Sequence, residues 1–509
     1  KQGKGGGPFT NEGAGAEVYN TISYMSSSPH DKDVLWVGSD DGLIHMTRNG
    51  GLLWENVTPP QLGEASINCI ELSPHDSNTV YVVAMRHKFN DFSPIILRSR
   101  NKGKTWQTIT DGIPKQDFAR VVRSDPRRPS LLYAGTQSGF YVSANGGDSW
   151  SRFQSNLPIT PITDITIADN DLVVSTSGRG FWILDDLAPL QQTGGLPMAD
   201  AVALINPDDG YRLDIDEATG DRKPRGTNPM PGIIIDYFLP PLPDTSKVEL
   251  AIYRNGHDFV RSYSSEQEDT EELPDGPVAE PVLPIRPGHN RFNWDVRREP
   301  LPGIQDVYVH GDYRAGMVPP GKYLLELRTP VDTVESTVEL KADPRQAAPE
   351  EAYAEQEQIL TKIENDIRDL HSSVQKMNVI RKQIKSLLRL LDGRSKYADL
   401  TKAGKATIDR IDAWEQELIQ RKQRTPQDAI NFENKLSAEY MALKNTADSH
   451  NPHVTTGVHI RYNDISAKWR TAKKKMDNIM NEEVAEFNRI FESRELPAII
   501  VPQVETYED

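Results

Sequence analysis

Short runs in which apolar and polar residues alternate fill the first part of the chain, and each run is long enough for one strand. Leu35-Trp36-Val37-Gly38, Val80-Tyr81-Val82-Val83-Ala84, Leu132-Tyr133-Ala134-Gly135 and Leu172-Val173-Val174-Ser175-Thr176 are the clearest, and turn residues separate them. From about Gln191 to Asp343 the pattern becomes proline-rich, with strand-like runs at Ile233–Phe238, Val248–Tyr253 and Lys322–Leu327. After Pro344 the period changes. Ile359, Ile363, Ile367, Leu370, Val374, Met377, Ile384, Leu388 and Leu391 recur at three, four or seven residues and make one apolar stripe on a long helix, which Gly393 ends. Ile408, Ile411, Trp414 and Leu418 predict a second helix, Phe432 to Leu443 a third, and Trp469 to Phe491 a fourth. The pattern thus divides the chain into 1–190, 191–343 and 344–509: sheets, a β-sandwich of immunoglobulin or fibronectin type, and an antiparallel helical bundle or hairpin.

The first region repeats itself. Ser28-Pro29-His30-Asp31 opens a unit that closes on Thr47-Arg48-Asn49-Gly50-Gly51-Leu52-Leu53-Trp54. Ser73-Pro74-His75-Asp76 opens a second, closing on Ser99-Arg100-Asn101-Lys102-Gly103-Lys104-Thr105-Trp106, with an insertion around Arg86 to Ser93. A third runs from Ser124 and closes on Ser143-Ala144-Asn145-Gly146-Gly147-Asp148-Ser149-Trp150. A fourth, Ile165 to Asp186, lacks the closing tryptophan hairpin. The tryptophans return at intervals of roughly 40–50 residues, the length of a four-stranded propeller blade. The closing element predicts a turn that satisfies itself. The hydroxyl of Thr47, Ser99 or Ser143 and the amide of Asn49, Asn101 or Asn145 bond local backbone, and Gly51, Gly103 or Gly147 takes a positive φ. Trp54, Trp106 or Trp150 then packs beneath. These polar residues are turn staples rather than a reactive group.

This Ser/Thr-x-Asp/Asn-x-Gly-x-x-Trp element resembles the Asp-box, or BNR, repeat of sialidases, xyloglucanase-type glycosidases and sortilin/Vps10-type propellers. Gly38-Ser39-Asp40-Asp41-Gly42, Asp91-Phe92 and Ser177-Gly178-Arg179-Gly180-Phe181-Trp182-Ile183-Leu184-Asp185-Asp186 give residues 15–190 a resemblance to bacterial sortilin-like BNR proteins often labelled glycosyl hydrolases. The resemblance implies a propeller of about ten blades. Three and a half blades leave open sheet edges, so the remaining blades are expected as a partner, on a segment before Lys1 or on a separate chain. The glycine-rich stretch Lys1 to Gly15 reads as a loop entering the first strand.

Composition narrows the partners. A net charge of −16 argues against nucleic acid and anionic membrane surfaces. No run of apolar residues is long enough for a membrane span. The single cysteine, Cys69, lies in an alternating strand pattern and reads as a packing residue, with no disulfide to form.

Glycoside hydrolysis needs two facing carboxylates. Asp40, Asp41, Asp125, Asp164, Asp185 and Asp186 lie near strand ends, but no pair is diagnostic, so no catalytic residue is assigned. Arg120, Arg123, Arg127, Arg128 and Arg179 do not space as a sialidase arginine triad. His450, His453 and His459 sit in a broken loop and Asp40-Asp41-Gly42 offers too few ligands, so neither a metal nor a cofactor is expected. The leading expectation is a non-catalytic exported bacterial protein, extracellular, cell-surface or periplasmic, whose propeller binds a polypeptide or glycan. The alternatives are a glycoside hydrolase using a carboxylate pair and a structural assembly subunit using its helices.

Overall fold

The computed structural model describes residues 19–195, 201–213, 230–267, 277, 279–346 and 348–494. The glycine-rich entry Lys1 to Gly15 and most of the acidic stretch Ser264 to Asp275 lie outside them. The chain divides into two compact units. Unit 1 is residues 1–205 with 236–241 and 287–289, and unit 2 is 206–235, 242–286 and 290–509. The strand-like runs Val248–Tyr253 and Lys322–Leu327 and the helices therefore share one unit, while Ile233–Phe238 is divided between the two.

Unit 1 is built from consecutive antiparallel meanders. Ile22–Ser27, Leu35–Ser39, Ile44–Thr47 and Glu55–Asn56 pair in sequence order as the first sheet. Ser66–Leu72, Val80–Arg86, Asp91–Ser99 and Gln107–Thr108 make the second, and Ala119–Ser124, Leu132–Thr136, Phe140–Ser143 and Ser151–Arg152 the third. The fourth stops at three strands, Ile162–Ala168, Asp171–Thr176 and Phe181–Leu184, where the sequence lacks a tryptophan hairpin. Each sheet's first strand lies beside the first strand of the next. The same bulge recurs in all four first strands, after Ile22, Ile67, Ala119 and Ile162, so the repeats superimpose residue by residue.

Side chains too large for one sheet to bury are shared between two. Ile67 sits over Gly38 and Ile162 over Gly135, so closely that a Cβ on either glycine would overlap the isoleucine. At the middle junction the sizes reverse: Ala119 and Val83 share one core. A large residue meets a small one each time, which keeps the inter-sheet distance constant.

In unit 2 a five-stranded sheet runs Gly210–Tyr211, Thr333–Lys341, Gly321–Arg328, Glu249–Arg254, Asp258–Ser264, with only the first pair parallel. The fully buried Trp294 meets Tyr323 edge-on at 5.1 Å.

The helical region begins with Glu350–Leu390, whose apolar stripe Ile359 to Met377 is buried throughout. Two acidic residues in its first turn complement the helix dipole. Gly393 adopts a left-handed φ of 72° just past the end. Ala398–Glu415, Leu436–Ala447 and Thr456–Ile479 pack around the same core. A π turn at Met480–Val484 interrupts the last stripe. The wider turn changes the phase of the helix. Met476 and Ile479 accordingly face the main core, while Phe487 faces a second cluster of Ile384, Leu391, Tyr397 and Leu400.

His371 is buried within this core. Its Nδ1 donates to the Pro302 carbonyl at 2.7 Å and its Nε2 accepts from the Ser437 hydroxyl at 2.7 Å, which fixes the neutral tautomer. Burial pushes its pKa down to about 4. The unfolded chain takes up this proton near pH 6.5 and the folded chain only near 4, so stability is lost as pH falls through that window. Wild-type protein should lose about 3 kcal/mol more stability between pH 7 and pH 4 than His371→Gln does. Urea unfolding followed at both pH values measures the difference, and equal slopes would contradict it.

Candidate functional site

The first strands of the four sheets carry a polar cluster centred on Arg123. Its Nε donates to the Ile165 carbonyl at 2.8 Å, Nη1 to Cys69 Sγ at 2.9 Å, and Nη2 to Tyr24 Oη at 3.2 Å and Asp164 Oδ1 at 2.6 Å. Nη1 also lies 3.6 Å from Glu71 Oε2. One guanidinium thus ties together the first strands of all four sheets. Register explains the meeting: Ser26, Glu71, Arg123 and Thr166 are equivalent positions, and Tyr24, Cys69, Val121 and Asp164 are equivalent two residues before them.

The two carboxylates differ. Glu71 is largely buried and accepts from the Ser124 amide at 3.0 Å. Burial raises its pKa, against the pull of Arg123. Asp164 is mostly exposed. Because both contact one planar guanidinium, their nearest oxygens are no more than roughly 9 Å apart. Burial also pushes the Tyr24 phenol up to about 12 and the Cys69 thiol upward, so both stay protonated at neutral pH. Cys69 is a buried packing residue with its Sγ 3.4 Å from the Val122 carbonyl.

A second group stands at the other end of the same strand. His87 stacks on Phe118 at 5.0 Å, Phe92 approaches Phe118 at 6.2 Å, and the Arg120 guanidinium lies 5.1 Å over the Phe118 ring. Phe92 is exposed and comes from the insertion in the second repeat, where His87–Phe89 forms a 3₁₀ turn and Asn90 a left-handed residue. Arg120 and Arg123 are three residues apart on Ala119–Ser124, so the aromatic group lies about 10 Å from the carboxylates along that strand.

The turn residues do what their types allow. Thr47 Oγ1 accepts from Gly51 N at 3.0 Å and Asn49 Oδ1 from Leu53 N at 2.9 Å. Ser99 with Gly103, Asn101 with Thr105, Ser143 with Gly147 and Asn145 with Ser149 repeat the pair at 2.8–2.9 Å. The tryptophans reach beyond their own turns. Trp106 Nε1 donates to Val57 O at 3.0 Å and Trp150 Nε1 to Ile109 O at 2.8 Å, each on the preceding sheet.

The other acids are occupied locally. Asp40 Oδ1 accepts from the Asn20 and Thr21 amides, and Asp41 from the Ser39 hydroxyl. Asp125 holds the Arg127 and Arg128 amides, the Tyr133 hydroxyl and Gln191. Asp186 accepts from the Ala188 amide, and Asp185 stands beside it past the last strand. Arg120 bonds Gln137, Arg128 bonds the Gln191 carbonyl, and Arg179 is exposed near its own turn. His450 pairs with Asp343 at 3.1 Å and His459 with Glu355 at 2.9 Å, while the His453 amide bonds Asn451. Among the described residues no three metal-ligating side chains converge. Glu71 and Tyr24 escape a motif search. Aligning the repeats places Glu71 and Arg123 at one register position, and that is the signal that exposes them.

No family model matches the chain. Among curated proteins it is 22% identical over 202 residues to a probable oligoxyloglucan-reducing end-specific xyloglucanase of Neosartorya fischeri, covering 34% of this chain and 24% of that protein. It is 24% identical over 157 residues to a xyloglucanase of Paenibacillus sp, covering 28% of this chain and 15% of that one. The chain thus spans less than a quarter of the length of either relative. Both are xyloglucanases, and neither is a sortilin-type protein. Among solved structures, YCF48 from Cyanidioschyzon merolae shares 18% identity over 33% of this chain and 54% of its own, with a TM-score of 0.26. A GH74 enzyme of Niastella koreensis shares 14% over 43% and 36%, with a TM-score of 0.27.

Arg123→Met leaves Glu71 buried beside no cation and unties four strands. It should cost about 3 kcal/mol. Adding Glu71→Gln should recover part of that loss, because the uncompensated charge is then gone. Chemical denaturation of both single variants and the double gives the coupling, and strict additivity would show that Arg123 acts without Glu71.

Proposed function

We propose that unit 1 is an arc of a β-propeller acting on a xyloglucan-type polysaccharide as a glycoside hydrolase. The observation that carries this reading is the unequal carboxylate pair on the first strands either side of the one that carries Arg123. Glu71, with its pKa raised by burial, suits the acid that protonates the glycosidic oxygen. Asp164, exposed to solvent, suits the carboxylate that attacks the sugar or activates water. Their nearest oxygens are at most roughly 9 Å apart, a bound compatible with the separations such pairs use. Phe92, exposed and about 10 Å along the strand, offers an apolar ring on which a pyranose face can stack. The sequence similarity to two xyloglucanases supports the substrate class. A polymer of that size is degraded outside the cell, so the protein is read as exported, and no described helix is long and apolar enough to cross a membrane.

A second reading, the non-catalytic binder of a glycan or polypeptide that the sortilin-like resemblance suggests, is favoured by one observation. Arg123 already holds Asp164 at 2.6 Å, as a resident counter-ion would in a site that binds and does not turn over.

Xyloglucan in solution separates the two. The hydrolase releases reducing ends, and Glu71→Gln and Asp164→Asn each lower the rate at least a hundredfold while retardation in a xyloglucan affinity gel persists. Retardation without release of reducing ends by the wild-type protein would leave the binding reading. Absence of both would remove the polysaccharide.

A further inference from the structure

Unit 1 has the same sheet-to-sheet contact three times, and the first sheet carries all the parts for a fourth. The positions equivalent to Ile22 are Ile67, Ala119 and Ile162, and those equivalent to Met25 are Ile70, Val122 and Ile165. All six are 0–1% exposed, whereas Ile22 is 61% and Met25 67% exposed. The closing hairpins agree independently. A Cβ on Gly103 would meet Val57 at 2.8 Å and one on Gly147 would overlap Ile109, each on the preceding sheet. At Gly51 only its own Trp54 is near, at 3.8 Å. Trp106 and Trp150 donate to carbonyls three residues beyond the tryptophan, or its equivalent, of the sheet before: Val57 follows Trp54 and Ile109 follows Trp106. Trp54, like its neighbours Leu52 and Leu53, is exposed.

The far side of the fourth sheet mirrors this. Phe181 is equivalent to Ile44, Ile96 and Phe140, which are at most 2% exposed and face the following sheet, yet Phe181 is 80% exposed. Ile183, two residues on, is exposed as well.

We infer that both faces are covered by further blades of the same kind, supplied by polypeptide immediately upstream of the first sheet. Direction follows from continuity. At each of the three junctions the sheet that receives the isoleucine or alanine is the one directly preceding in sequence. The receiving blade has definite chemistry. Its second strand carries a glycine or similarly small residue under Ile22, as Gly38 lies under Ile67 and Gly135 under Ile162. Its fourth strand presents, three residues past its own turn tryptophan, a free carbonyl for Trp54 Nε1. A second copy of this chain does not supply that surface among its described sheets. The fourth sheet, whose open face is the one available, has no fourth strand and no such carbonyl. The first blade of the upstream set then covers Phe181 and Ile183 and closes the ring. This inference stands on the repeat alone and on no reaction.

The test compares oxidation by hydrogen peroxide of the 509-residue chain and of the same chain expressed with its upstream coding sequence. Peptide mass spectrometry reads the rate at Met25, with the fully buried Met46 as the internal control. Met25 should oxidise at least tenfold more slowly in the longer polypeptide while Met46 stays slow in both. Met25→Glu should leave the Tm of the 509-residue chain unchanged and lower that of the longer one. Equal Met25 rates in the two polypeptides would overturn the inference. Protection of Met25 in the 509-residue chain that is lost on dilution would assign the face to a second copy and overturn it too. Hydrolysis of xyloglucan can succeed or fail whichever way Met25 reads, so the two proposals are judged separately.

Discussion

The seating of an aliphatic side chain on a glycine of the neighbouring sheet is the contact on which unit 1 depends. A four-stranded sheet has two apolar faces and cannot bury both against itself. Ile67 over Gly38 and Ile162 over Gly135 bring backbones close enough for the sheets to share one layer of side chains. The spacing that this contact sets is also what allows Trp106 and Trp150 to reach a carbonyl on the sheet before. A larger residue at either glycine would push the sheets apart and lose the hydrogen bond along with the packing. Stability in such an array is a sum over junctions. The end sheets, each with one junction, are its weakest members.

The polar centre follows from the same geometry. Four first strands packed side by side bring their equivalent positions within reach of one long side chain. Arg123 is long enough and has enough donors to engage all four. A cluster of this kind cannot be assembled by one sheet. It exists because the register repeats without slipping, and the shared bulge after Ile22, Ile67, Ala119 and Ile162 keeps it so.

How much of this is legible in the sequence differs by level. The sheets, their closing turns and the long helical stripe are local patterns, and their positions follow from period and turn chemistry. The missing fourth strand after Leu184 is legible too, because a tryptophan hairpin is absent where one is due. Contacts between repeats are not local. Trp54, Trp106 and Trp150 read identically, yet two are docked on the preceding sheet and one is exposed. Glu71 carries no motif, and only superposition of repeats places it opposite Arg123. Asp164 stands out no more than Asp125 in sequence, although Asp125 is consumed by backbone amides and Tyr133. In the helical region a stripe that reads as continuous from Trp469 to Phe491 is broken by a π turn, because Phe487 and Met476 pack into different clusters.

Arg123 has two effects on the carboxylates that pull in opposite directions. Near Glu71 it offsets part of the desolvation that raises the carboxyl pKa, and so works against a proton being held there. Near the exposed Asp164 it supplies a counter-charge at 2.6 Å. A sugar entering between Asp164 and the solvent would displace water from around the ion pair and strengthen both effects. The contact of Arg123 is closer with Asp164, at 2.6 Å against 3.6 Å for Glu71, whose other oxygen accepts from the Ser124 amide. On the proposed hydrolase reading that asymmetry suits acid-assisted cleavage, with the acid buried and the base exposed and anchored.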